Sequence, residues 1–458
     1  MTKSIFMAQA MIGALALAAA PVQAADFRAG AGKSEIQVTP DMLPLEGLTA
    51  QHDALTVRVL LMDDARARSA IVVLEQPSVS EGTIAGIKAA LTRLAKVAPE
   101  NAIVVATHTT SAPHANVGPP PGAQRGGPAG AAPAQAPAQA PGAPAFAAAL
   151  SQAAERAIAQ ANGSLQPARA GFGVGATSIN VNRDAPTPMG YAYGSNSAGF
   201  SDRTLPVMRI DGANGSPVAV LMNVAVRSVV MDGSIDASGG GKAITADLAG
   251  AAARYVEKWY GADTVALFLM GAAVDQSPVL EANRLVLNPD GTQTRVDLHE
   301  AGFALLDLLG ERLGSEIVQA AEGIKASATP TVAIERHSLK VPSQGRAGGA
   351  PTNLPVLSYT YSVGPELDLP VVLMRIGDIA VVGVQPELSS SLGAQIKERS
   401  PFAHTMVAVM VDGGAKYMVD SASYDRFTNE ARGSQFAQGA AAVTVAGIEG
   451  LLRRMKKE

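Results

Sequence analysis

Cysteine is missing from all 458 residues. Its absence removes disulfides, thiolate metal ligands and cysteine nucleophiles at once. The core must hold the fold unaided, and any bound metal must be taken by His, Asp, Glu or Tyr. A dominant charge is lacking too: 36 Lys and Arg stand against 40 Asp and Glu, a formal net charge of -4. That balance makes no electrostatic case for nucleic acid. The single basic run, Arg453-Arg454-Met455-Lys456-Lys457, reads as the solvated end of a helix. Beyond the N-terminus no stretch is long and apolar enough to span a bilayer.

What is present begins with a leader. Lys3 supplies a positive n-region, Ile5 to Ala20 an apolar h-region, and Val22-Gln23-Ala24 a small-residue cleavage site. We expect a signal peptide over 1–24, a mature chain starting at about Asp26, and a periplasmic or secreted protein. A transmembrane anchor is the competing reading, disfavoured because the apolar run is short and alanine-rich.

The rest of the chain interleaves strands and helices. Thr56 to Met62 and Ser69 to Glu75 are apolar runs joined by Asp63-Asp64-Ala65-Arg66, a hairpin pattern. Ile84, Ile87, Leu91 and Leu94 share one helical face, and Pro99 closes that helix. Ala102 to Ala106 is a short buried strand that leaves His108 just beyond its C-terminal end, where α/β sheets place ligands and catalytic groups. Residues 118–144 collapse into Pro, Ala, Gly and Gln, a composition that reads as a disordered insert. Helices are expected over Phe146 to Ala161, Ala246 to Tyr260 (with Gly261 as its cap), Leu298 to Ala321 and Gly439 to Lys456. Strands are expected over Pro217 to Val226, and as a pair over Val371 to Val384 turned at Gly377-Asp378. The class is mixed α/β with a central sheet and flanking helices, in one domain over 26–458.

One segment has the form of a catalytic loop. The buried run Thr264 to Met270 ends in Gly271-Ala272-Ala273 and then offers Asp275, Ser277 and Pro278. The glycine permits close backbone approach, and the proline stiffens the exit. Further segments appear in a recognisable order: Ala31-Gly32-Lys33 with Thr39-Pro40, His52-Asp53, Thr107-His108-Thr109-Thr110-Ser111-Ala112-Pro113, Asn180-Val181-Asn182-Arg183, Val274-Asp275-Gln276-Ser277-Pro278, Gln385-Pro386-Glu387, Ser400-Pro401-Phe402, Tyr417 and Tyr424-Asp425. Together they resemble the neutral/alkaline ceramidases, zinc amidases that cleave the N-acyl bond of ceramide. The resemblance runs from about Ala29 to the C-terminus.

That resemblance implies roles. Zinc would be held by His108, Glu387 and Tyr417 together with a second histidine. Ser277 is the position proposed as nucleophile, Arg183 would hold a substrate oxygen, and Asp275 would line the substrate site. The second histidine is not there: Asn223-Val224-Ala225-Val226-Arg227 puts Arg227 in its place. A guanidinium has no lone pair to give and does not deprotonate, so it repels zinc and pairs with Glu387 instead. Asp232 or His114 could fill the ligand gap. Thr110, Val274 and Asn429 are further departures from the family pattern. His52, His299, His337 and His404 read as structural or surface residues.

Two readings stay open. One is a secreted ceramidase-like amide hydrolase with a degraded zinc site, acting on a lipid-like N-acyl substrate with peripheral contact to a membrane surface. The other is a non-catalytic periplasmic relative that binds a lipid or amphiphile through the pocket, with an Arg227–Glu387 pair in place of the metal.

Overall fold

The computed structural model describes residues 27–115, 141–288, 292–327, 329–345 and 354–457. The leader over 1–24 lies outside these residues, as does the expected insert up to residue 140. The last four insert residues are described, and the helix Ala143–Gly163 already begins within them, with Pro144 in its first turn. Proline fits there because a first-turn N–H has no helical acceptor.

An eight-stranded sheet forms the centre. Its spatial order is Val265–Met270, Pro217–Val224, Thr204–Gly212, Gln166–Ala176, Arg28–Glu35, Thr56–Asp63, Arg68–Leu74 and Ala102–Ala106. The two outer pairs are parallel and the inner pairings antiparallel. The expected hairpin is there, with Val57 opposite Leu74 and Asp63 opposite Arg68. A second sheet of four strands runs Val332–Val341, Leu367–Ile376, Ile379–Val384 and His404–Ala408.

Alternation along the strands divides the core into layers. Leu60, Met62, Ile71, Val73, Leu221 and Leu267 of the large sheet pack with Val372, Met374, Val381 and Met406 of the small one. Their neighbours Val59, Leu61, Val72, Met222 and Phe268 face the other way, toward the helices Glu81–Ala95, Ala143–Gly163, Asp247–Tyr260 and Gly302–Glu322. On the far side, Val371 and Leu373 turn toward Ser390–Arg399 and Ala440–Met455. The architecture is four layers, helix–sheet–sheet–helix. No helix among the described residues is long and apolar enough to cross a membrane.

Two devices join the sheets. Asn223 Nδ2 donates to the carbonyls of Leu269 and Val407 at 3.0 and 2.9 Å, and its Oδ1 accepts from Val407 N at 3.0 Å. The chain after His404–Ala408 then bonds Val409 N to Met270 O and Val411 N to Val384 O, both at 3.0 Å. The C-terminal ends of strands from both sheets are thereby gathered at one place.

Candidate functional site

The gathered strand ends carry the site. His108 lies two residues past Ala106, between Thr107 N, which donates to Leu74 O at 3.0 Å, and Thr109 N, which donates to Gln76 O at 3.1 Å. Pinned on both sides, His108 adopts φ 59°. That left-handed conformation is costly for a residue with a Cβ and tends to occur at functional sites. Arg227 follows Pro217–Val224 by three residues, and Glu387 follows Ile379–Val384 by the same distance.

These three side chains meet. Arg227 Nη2 is 3.3 Å from His108 Nε2. His108 Nε2 is 3.4 Å from Glu387 Oε2, and Arg227 Nε is 3.6 Å from that same oxygen. All three residues are buried. Nε2 therefore faces both a donor and an acceptor: a proton on it suits Glu387, a lone pair suits Arg227. Burial pulls the imidazole pKa down, but the Glu387 carboxylate outweighs it and the net displacement is upward. The contacts are longer than the roughly 2.7–2.9 Å of tight charge-assisted bonds. Consistent with a loose cluster, His108 Nδ1, Thr110 Oγ1, Arg183 Nε, Arg227 Nε and Glu387 Oε2 are buried without a hydrogen-bond partner among the described residues.

Tyr417 stands beside Glu387 as its register partner in a short parallel ladder. Burial and the Glu387 charge raise its phenol pKa, while the Arg183 charge opposes the rise. Arg183 itself is buried and ion-paired with Glu430. Asp184 lies against the same carboxylate. Its pKa is pushed well up by burial, then by the Glu430 and Asp275 charges.

Ser277 completes the group from the strand Gln276–Pro278, which pairs antiparallel with Asn180–Thr187. The guanidinium of Arg183 lies 4.8 Å from the ring centre of Tyr193, and Tyr193 Oη is 3.1 Å from Ser277 Oγ. Asp275 faces inward. Its carboxylate accepts from Ser390 N at 2.8 Å, Ser390 Oγ at 3.0 Å and Asn182 Nδ2 at 3.3 Å, and burial raises its pKa to about 6. Asn180 Nδ2 in turn donates to the carbonyls of Asp202 and Ala225 at 2.9 Å. The Asn180–Arg183 segment is thus a bracket that aims Arg183, with Asp275 as its latch.

All seven sequence-derived candidates come together: His108, Arg227 and Glu387 touch, Tyr417 lies beside Glu387 and feels the Arg183 charge, and Arg183 meets Ser277 through Tyr193 and donates its backbone N–H to Asp275 O at 3.0 Å. The two alternative ligands do not join it. His114 Nδ1 bonds Glu46 Oε2 at 2.7 Å on the surface, and Asp232 is exposed. His52 stacks on Phe303, His404 stacks on Phe172, His337 bonds Glu335, and His299 bonds the Ile235 carbonyl. Sequence reasoning passed over Tyr193, Asp184 and Glu281. Only Glu281 carried a signal, as the first acid after the Ser277-Pro278 loop.

A hydrolytic zinc asks for three or more ligands and an open position. Here the same His108 and Glu387 atoms that would ligate it are in contact with a permanent cation. Among the described residues no group of three or more His, Cys, Asp and Glu could hold a metal. This donor set does not fit the ion.

No protein-family model matches the sequence, and no curated protein does. Solved structures do match. A neutral ceramidase from Pseudomonas aeruginosa aligns with TM-score 0.66 at 17% identity, over 93% of this chain and 73% of that one. The chain has the fold of neutral ceramidase. A structure described as ceramidase complexed with C2 agrees equally, at TM-score 0.66 and 17% identity over 94% of this chain and 75% of that one.

Proposed function

We propose that the protein is an exported amide hydrolase of ceramidase fold, acting on an N-acyl lipid at the water–membrane boundary, in which Arg227 stands in for zinc as the fixed positive charge. The observation that carries this reading is the contact of Arg227 with both His108 and Glu387, in one network with Arg183 and Ser277.

The chemistry follows from that arrangement. Amide hydrolysis needs positive charge where the carbonyl oxygen becomes an oxyanion, held in place before the reaction begins. Arg227 and Arg183 are both buried, and the Nε of each makes no hydrogen bond to a described residue. Glu387 keeps Arg227 in place, and Glu430 does the same for Arg183. His108, poised between donor and acceptor, is suited to carry a proton. The neighbouring structures' names point to ceramide-like substrates, and the N-terminal leader supports export.

The test is release of free fatty acid and amine from a fluorescent short-chain ceramide in mixed micelles, with EDTA and with added zinc. We expect slow release that EDTA leaves unchanged. Saturable binding of the ceramide with no release under either condition would contradict hydrolysis. It would favour the non-catalytic reading, which the Arg227–Glu387 pair also accommodates.

A further inference from the structure

We infer that Ser277 has its own proton relay, with Tyr193 as the bridge and Glu281 as the terminal base, so that Ser277 acts as nucleophile without a metal. This rests on the amide-hydrolase reading. Tyr193 Oη is 3.1 Å from Ser277 Oγ and donates to Glu281 Oε1 at 2.8 Å. Ser277 and Glu281 are buried, at 5% and 8% exposure, so the bonds are little disturbed by water. A nucleophile and base within hydrogen-bond reach, with a third group orienting them, is the arrangement that activates a serine. Arg183 supplies the orientation by lying over the Tyr193 ring.

The three residues come from different elements. Ser277 sits on the strand Gln276–Pro278, Tyr193 on the strand Gly190–Asn196, and Glu281 in the irregular segment that follows Pro278. Besides Tyr193 and Ser277, Glu281 faces Arg183, whose charge favours the carboxylate, and Asp232, whose charge opposes it. Arg284 binds the Glu281 backbone carbonyl at 3.2 Å. Burial leads these influences and raises the Glu281 pKa toward the range of a working base.

The step balances. Ser277 Oγ bonds to the acyl carbon as its proton passes to Tyr193 Oη, while the Tyr193 proton passes to Glu281. Collapse of the tetrahedral adduct breaks the C–N bond, and the proton returns along the relay to the departing amine. Water then attacks the acyl-serine, gives one proton to the relay and regenerates Ser277 on release of the acid.

Fluorophosphonate labelling tests the relay without needing the natural substrate. Intact wild-type protein in EDTA should be labelled at Ser277, with peptide mass spectrometry locating the adduct. The labelling rate should rise with pH along an acid limb. Glu281→Gln should slow labelling about 10²-fold or more, within the usual range for general-base loss, and abolish that limb. Tyr193→Phe should slow it too, and Glu281→Asp should restore part of the rate and the limb. Melting curves matched to wild type exclude misfolding of Glu281→Gln. No adduct on Ser277 in wild type, or equal rates in wild type and a folded Glu281→Gln, would overturn the relay. Normal labelling without ceramide hydrolysis would support the relay and refute the amide substrate instead.

Discussion

Arg183 and Glu430 form an ion pair in which the side chains are only 5% and 3% exposed. Breaking such a pair from one side strands a charge, typically at a cost of about 3–5 kcal/mol. Here the stranded Glu430 charge also faces the buried Asp184 carboxyl, whose pKa it already raises. Arg183→Met should therefore lower stability by about 3–5 kcal/mol, read from urea unfolding at pH 7. Adding Glu430→Gln to that variant should recover part of the loss. An Arg183→Met variant as stable as wild type would show that the pair is not buried as described. Arg58 tells a parallel story away from the site. It is buried between Glu75, with which it is ion-paired, and Glu257, whose Oε1 accepts from its Nε at 2.9 Å.

At the scale of elements, Asn223 is the most exacting joint, because one side chain satisfies the backbones of two sheets. Asn223→Ala would leave the Leu269 and Val407 carbonyls and the Val407 N–H buried without it. At about 1–3 kcal/mol per stranded group, the loss should be about 3 kcal/mol or more in urea unfolding. A loss below about 1 kcal/mol would mean the sheets are held mainly by apolar packing. Much at this scale was legible in the sequence. Ala102–Ala106 falls where its apolar run placed it, and the turn at Gly377 joins Leu367–Ile376 to Ile379–Val384. Gly261 closes Asp247–Tyr260 with φ 105°. The division into two stacked sheets was not legible. Val371 and Val372 are equally apolar, and only the fold decides that they face different layers. The pair Asn283–Leu287 with Gln293–Asp297 also went unread, since Leu285 opposes Arg295 and Val286 opposes Thr294, so neither face shows a clean apolar alternation. For the site, motif order brought out His108, Arg227 and Glu387. Tyr193 and Glu281 lie outside any motif, and their role depends on distances that span 88 residues of chain.

For the whole molecule, buried acids set the response to pH. Asp247 and Asp275 are each raised to about 6 by burial, against an ordinary value of 3.8. Between those values the native state binds more protons than the unfolded chain, so stability falls as pH rises. The contribution is full below about 4 and gone above about 6. Acids held below their ordinary value, such as Glu257 and Asp64, lose their contribution only at lower pH. The urea midpoint should therefore rise between pH 7 and pH 5, and Asp275→Asn should flatten that rise. A wild-type midpoint falling steadily over this interval would contradict the assignment.

A chain with the fold of neutral ceramidase here carries a guanidinium, Arg227, at the position where the sequence resemblance implies a zinc ligand. At an effective dielectric of about 20, two unit charges about 4 Å apart interact by about 4 kcal/mol, and a divalent ion roughly doubles that repulsion. Glu387 offsets part of it, but one carboxylate cannot neutralise both cations. Zinc content and affinity, measured side by side for wild type and Arg227→His by elemental analysis and calorimetric titration, test this directly. Wild type should hold substoichiometric, weak zinc, and Arg227→His should take it up clearly more tightly. Tight, stoichiometric zinc in wild type, unchanged by the substitution, would contradict this.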